Sequence, residues 1–210
     1  MYIAQRTFRL VNGLMKSYGP SEIKRALWDT EYSGDKWNFN DNTVGDCVYS
    51  HLERHLANGS ILDLGCGSGN TSTELPTTAY QKYIGVDISE AALRKAMRRS
   101  ENNGRRLRNR FVQADIVNYV PPQQFDVILF RESLYHIPLG KVKATLERYA
   151  KYLTCKGVFI VRMNTTDGSV GKSKPRPTAM VAIIENAFDV LEKCQYEGPS
   201  GPTVIVFRAK

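Results

Sequence analysis

The chain has 210 residues, 42% of them hydrophobic and 24% charged, with a formal net charge of +8 and a pI near 9.3. That length buries the core of one domain rather than two, and no apolar run is long enough to cross a bilayer or to form the centre of a secretory signal near Met1, so a cytoplasmic enzyme is expected. Cys47, Cys66, Cys155 and Cys194 are scattered without paired spacing, which argues against a zinc site and a disulfide framework.

Residues 1–58 read as a helical arm ahead of the first strand. Ile3, Leu10, Val11, Leu14, Met15 and Tyr18 recur at helical spacing beside Arg6, Arg9 and Lys16. Such a stripe docks on its own domain or lies weakly on an anionic membrane, and docking is the expectation. Trp28, Tyr32 and Trp37 concentrate aromatics in a polar stretch, as core packing or as a lid, with packing slightly preferred.

Ser60 to Leu64 then reads as a buried strand, followed by Gly65, Cys66, Gly67, Ser68 and Gly69, a loop whose missing side chains let a ligand lie against the backbone. A dinucleotide fingerprint needs its third glycine where Asn70 stands, so that reading fails. Tyr83 to Ile88 is a second strand carrying Asp87 near its end, and Ser89 can cap a helix through Glu90, Leu93 and Met97. Eight basic residues from Arg94 to Arg110 follow, read as a solvated flank. Arg110 to Ile116 gives a third strand closed by Asp115, and Phe125 to Phe130 a fourth. Val142, Leu146, Tyr149 and Leu153 mark a helix face, and Gly157 to Met163 a fifth strand. Lys172, Lys174 and Arg176 lie in a polar loop, Pro177 opens a helix from Thr178 to Phe188, and strands Asp189 to Tyr196 and Thr203 to Ala209 close a hairpin.

Strands alternating with helices imply an α/β three-layer, Rossmann-like, mostly parallel sheet, with its ligand crevice at the strands' C-terminal ends. The glycine loop, Asp87 and Asp115, in this order, resemble the class I S-adenosylmethionine (SAM) dependent methyltransferases over about residues 59–210. The resemblance implies the seven-stranded methyltransferase fold with a C-terminal antiparallel hairpin, and SAM as cofactor with S-adenosylhomocysteine as product. It also implies a cofactor site of Asp63, Gly65, Cys66, Gly67, Gly69, Asp87, Ile88, Asp115, Ile116 and Arg131, covered by Trp37. Asp87 would accept from the ribose hydroxyls and Asp115 from the adenine amine.

With no separate substrate domain, the acceptor is expected to meet the arm and the loops: Tyr32, Tyr135, Lys172, Lys174 and Arg176, the basic group favouring an anionic acceptor. Arg131 to Ile137 follows the fourth strand, and His136 is the best-matched base for a hydroxyl, since a free imidazole titrates near 6.5. Glu132 could orient His136 or hold Arg131; equally, His136 could be structural. Pro121-Pro122 precedes the fourth strand, whereas enzymes methylating nucleobase amines carry a Pro-Pro-aromatic signature after it. The expectation is therefore methyl transfer to a small molecule, at oxygen, without a metal. An RNA methyltransferase and a non-catalytic SAM-binding subunit are the alternatives.

Overall fold

The computed structural model describes residues 11–34, 43–164, 177–196 and 201–210. Its strands are β1 (Gly59–Leu64), β2 (Tyr80–Asp87), β3 (Asn109–Gln113), β4 (Phe125–Arg131), β5 (Leu153–Asn164), β6 (Asp189–Gln195) and β7 (Pro202–Arg208). They form one sheet in the order β3-β2-β1-β4-β5-β7-β6. Strands β1 to β5 pair in parallel, and β7 runs antiparallel between β5 and β6. The seven-stranded fold expected from the sequence is thus present.

Helices cover both faces. In chain order they are α1 (11–18), α2 (Ser21–Ser33), α3 (Val48–Leu56), α4 (Asn70–Glu74), α5 (Glu90–Asn102), α6 (Leu139–Ala150) and α7 (Pro177–Ala187). Successive side chains of a strand point to opposite faces. Leu62, Leu64, Ile128 and Phe130 accordingly pack into the core that Leu146 and Ile184 complete, while Ile61, Val127 and Leu129 pack with Val48, Leu52 and Leu56 of α3. Burial on both faces is why β1 and β4 read as continuous apolar runs. From β1 the chain steps outward to β2 and β3, then returns to place β4 on the other side of β1. This reversal opens the crevice at the C-terminal ends of β1 and β4.

Several expectations shift. Within the expected arm of 1–58, α3 is a core helix, because its i, i+4, i+8 apolar positions face the sheet. Leu153 begins β5 instead of ending the α6 face, and β3 stops at Gln113, two residues before Asp115. In α1, Val11, Leu14 and Tyr18 are exposed, against the expectation that the apolar stripe docks. Lys16 instead turns toward α2, stacked over Trp28 at 3.9 Å and paired with Glu31. Ser89 caps α5 as read, accepting from the Ala92 N–H. The basic run is partly structural: Arg105 donates to the carbonyls of Ser72 and Leu75, Arg108 to that of Thr77, and Arg99 to the Ser68 hydroxyl. No described helix is long and apolar enough to cross a membrane.

Candidate active site

A cavity of about 750 Å³ lies over the C-terminal ends of β1 to β5, a size typical of small-molecule sites. One wall is the glycine loop. The N–H groups of Gly65 and Cys66 both donate to the Val86 carbonyl, at 2.7 and 3.0 Å, so the loop hangs from β2. Gly65 and Gly67 have φ of 83° and 53°. A Cβ on Gly65 would meet the Ser133 Cβ at 2.5 Å, and one on Gly67 the Tyr32 hydroxyl at 2.7 Å. Both conformation and space therefore require glycine there.

Asp87 shares this wall. Its Oδ2 accepts from the Gly67 N–H and its Oδ1 from the Ser89 N–H, each at 2.9 Å. Burial pushes its carboxyl up to about 6, more strongly than those two bonds pull it down. Each oxygen keeps lone-pair capacity beyond the N–H it accepts from. A ribose diol offers two donors, so the residue fits an adenosine-containing cofactor. Ile88, Asp115 and Ile116 continue the wall. For Asp115, burial alone would raise the carboxyl; the Val117 N–H and the Lys24 ammonium outweigh it and hold the group below its usual range. Its Oδ1 accepts from that N–H at 3.0 Å, and its Oδ2 from the Ser21 hydroxyl at 3.0 Å and the Lys24 ammonium at 3.1 Å.

Two expected cofactor residues stand behind the wall. Asp63 is buried, accepts from the Tyr83 hydroxyl at 2.6 Å, and is pushed up to about 6 by burial. Gly69 precedes α4 with φ 78° and packs under Ala96. Neither lines the cavity. Cys66 does, and its thiol, turned toward Gly85, is driven well above the usual range by burial.

The opposite wall is a charge network. Arg131 and Arg162 are register partners on β4 and β5, which places two guanidinium groups side by side. Asp46, from the loop before α3, accepts from Arg131 at 3.1 and 2.8 Å and from Arg162 at 3.3 Å. Burial would raise Asp46, but the two arginines outweigh it and hold the carboxyl low. Glu132 has φ 56°, a strained value for a residue with a Cβ. This turns its carboxylate toward the Tyr135 hydroxyl (2.6 Å), the Asn164 N–H (2.8 Å) and Arg162. The carboxylate therefore engages Tyr135 and Arg162, not His136 or Arg131 as the sequence spacing allowed. His136 lies in a short 3-10 turn (Leu134–His136), its ring 4.8 Å from both Trp28 (at 89°) and Tyr135 (at 57°).

Trp28 and Tyr32 line the cavity, and α2 has no buried residue, so the expectation that they serve the core is corrected: they face the site. The cavity's Lys16, Lys24, Arg131 and Arg162 pair with Glu31, Asp115, Asp46 and Glu132. Among the described residues the lining thus carries no excess positive charge. Trp37, Lys172, Lys174 and Arg176 lie outside the described residues. Asp46, Arg162, Asn164, Lys24 and Ser21 escaped the sequence reading; the register of β4 with β5 is the one signal that could have exposed Arg162. No cluster of metal-ligating side chains occurs among the described residues.

The family described as methyltransferase domain matches residues 55–193. Among curated proteins, the protein-lysine N-methyltransferase EFM4 of Saccharomyces cerevisiae is 31% identical over 139 residues, which is 57% of this chain and 61% of that protein. A ubiquinone biosynthesis O-methyltransferase of Nitrosospira multiformis is 29% identical over 101 residues, 46% of this chain and 42% of that protein. The alignments therefore span about half the length of these relatives. Among solved structures, a Burkholderia thailandensis 1,6-didemethyltoxoflavin-N1-methyltransferase with S-adenosylhomocysteine bound superposes with TM-score 0.72 at 17% identity, covering 89% of this chain and 87% of that one. At that identity the likeness is one of fold.

Proposed function

The chain belongs to the methyltransferase-domain family, and from that premise we propose that it is an enzyme transferring a methyl group from SAM to a small acceptor, at a hydroxyl oxygen. The observation carrying the cofactor half is the buried Asp87, whose two oxygens each accept a backbone N–H beside a loop of glycines at positive φ. When bound, SAM supplies an electrophilic methyl group. The backbone at Gly65, Cys66 and Gly67 would bear its amino-acid end near Arg131, Asp87 its ribose, and Ile88, Asp115 and Ile116 its adenine, with Asp63 and Gly69 shaping the loop from behind.

The acceptor would lie among Tyr32, Tyr135, Trp28 and His136. His136 would accept the hydroxyl proton, and Glu132 would act through Tyr135, taking the phenol's hydrogen bond and so turning its oxygen toward the acceptor as a hydrogen-bond acceptor. Burial and the Glu132 carboxylate raise the Tyr135 phenol well above its ordinary range, so it keeps its proton. Residues 59–210 then form the catalytic unit with α3 in its core, and α1 and α2 supply the acceptor side.

An amine acceptor is the second reading, favoured by the relative EFM4, whose name specifies lysine. Incubation with SAM bearing a labelled methyl group, against panels of hydroxyl and amine acceptors, tests both. Mass-spectrometric location of the label on oxygen supports the first reading and on nitrogen the second. Tight SAM binding without turnover on any panel, or on cell extract, would favour the non-catalytic subunit.

A further inference from the structure

Helix α2 lies across the ends of four strands. Lys24 and Ser21 reach Asp115 beyond β3. Asp29 accepts from the Ser89 hydroxyl at 2.7 Å and the Ala91 N–H at 3.1 Å, beyond β2. Tyr32 stands over Gly67 beyond β1, and Trp28 meets His136 beyond β4. From Ser21 to Tyr32 a helix rises about 16 Å. Two inter-strand spacings, from β3 to β1, come to about 10 Å. The helix is thus long enough to reach from Asp115 to the glycine loop, with Trp28 extending to His136 beyond β4, and Ser21, Lys24, Trp28 and Tyr32 recur at the spacing of one helix face.

No residue of α2 is fully buried, so these side-chain contacts, with its packing against α5 and Lys16 of α1, hold it to the domain. Elements held in this way open at low free-energy cost, and a ligand can bias them. Of the contacts, only the one to Asp115 joins the helix to the position assigned to adenine. A carboxylate offers about four acceptor sites. The Val117 N–H, the Ser21 hydroxyl and the Lys24 ammonium use three, all oriented, and leave capacity for one more donor.

We propose that Lys24, with Ser21, is a positioning residue for adenine recognition: it orients Asp115 for the exocyclic amine of the cofactor and thereby couples cofactor binding to the docking of α2 over the acceptor. The proposal rests on the cofactor assignment above. Coupling is reciprocal, so the cofactor must hold the helix as firmly as the helix favours the cofactor.

The test titrates S-adenosylhomocysteine and its deaminated analogue S-inosylhomocysteine by calorimetry into wild-type protein and Lys24→Met, Ser21→Ala and Lys24→Arg variants. Hydrogen exchange of residues 21–33 is followed with and without ligand. Lys24→Met is expected to weaken S-adenosylhomocysteine about tenfold and the deaminated ligand little, narrowing the gap between them. Ser21→Ala should do the same to a smaller degree, and Lys24→Arg should restore much of the loss. Ligand should slow exchange across α2 in the wild type and less so in Lys24→Met. Equal losses for both ligands, an unchanged gap, or α2 exchange indifferent to ligand would overturn the proposal while leaving the cofactor assignment standing. Failure of the wild type to bind S-adenosylhomocysteine would overturn both.

Discussion

The two walls of the cavity are built differently. On the cofactor side, each carboxylate after β2 and β3 is anchored by backbone N–H groups, those of Gly67 and Ser89 for Asp87 and that of Val117 for Asp115, and only Asp115 takes side chains besides, Ser21 and Lys24. On the acceptor side, side chains hold side chains across long stretches of chain: Asp46 lies 85 residues from Arg131 and 116 from Arg162. A wall anchored mainly on the backbone follows largely from the fold and suits a ligand common to many enzymes. A side-chain wall can be rewritten residue by residue, and this is where specificity for one acceptor belongs.

Breaking each wall should therefore give different symptoms. The largest effect is expected at His136. His136→Gln should lower turnover about 10² to 10⁴-fold while S-adenosylhomocysteine affinity holds; near-wild-type turnover on an established acceptor would make His136 structural. Next, Asp46→Ala leaves two guanidinium groups facing each other without their carboxylate, and should cost about 3 to 5 kcal/mol in chemical denaturation. A loss under about 1 kcal/mol would show that Glu132 compensates. Asp87→Ala should weaken S-adenosylhomocysteine by roughly 2 to 4 kcal/mol in a folded protein. Unchanged affinity would remove Asp87 from the site.

The cofactor wall also predicts a pH signature. Burial raises the Asp87 carboxyl from the reference 3.8 to about 6. Its contribution to stability is thus fully present below about pH 4 and lost as pH rises toward 6 and beyond, up to about 3 kcal/mol. Relative to an Asp87→Ala variant, the cofactor-free wild type should accordingly lose stability between about pH 4 and 7, as unfolding across pH would show. A constant difference would mean the carboxyl titrates normally. The smallest effect is expected away from both walls. Arg98 and Arg106, outside the cavity, should each tolerate Gln within about 0.5 kcal/mol. Loss of turnover in these variants would revive an RNA acceptor read by the basic surface.

What was legible in the sequence follows the same division. The glycine loop, Asp87 and Asp115 announce themselves because each stands where an apolar run ends, a local pattern. Trp28 and Tyr32 were visible as aromatics, yet their direction was not, since α2 docks by single side chains and leaves no apolar stripe to follow. Asp46 and Arg162 are ordinary charged residues until β4 and β5 come into register. Glu132 looked like a partner for His136 at helical spacing; its left-handed backbone turns it toward Arg162, and nothing in a string of residue types encodes that φ.

Strand β3 is one of the two outer strands of the described sheet, five residues long, with Arg110 in it and Arg106 and Arg108 just before it. An open strand edge presents unpaired N–H and C=O groups to any neighbouring molecule and invites edge-to-edge association. Here a second copy approaching that edge would bring its own arginines against these. On this reading the basic run guards the sheet edge, and self-association is expected to rise as salt screens the repulsion, which light scattering across ionic strength would check.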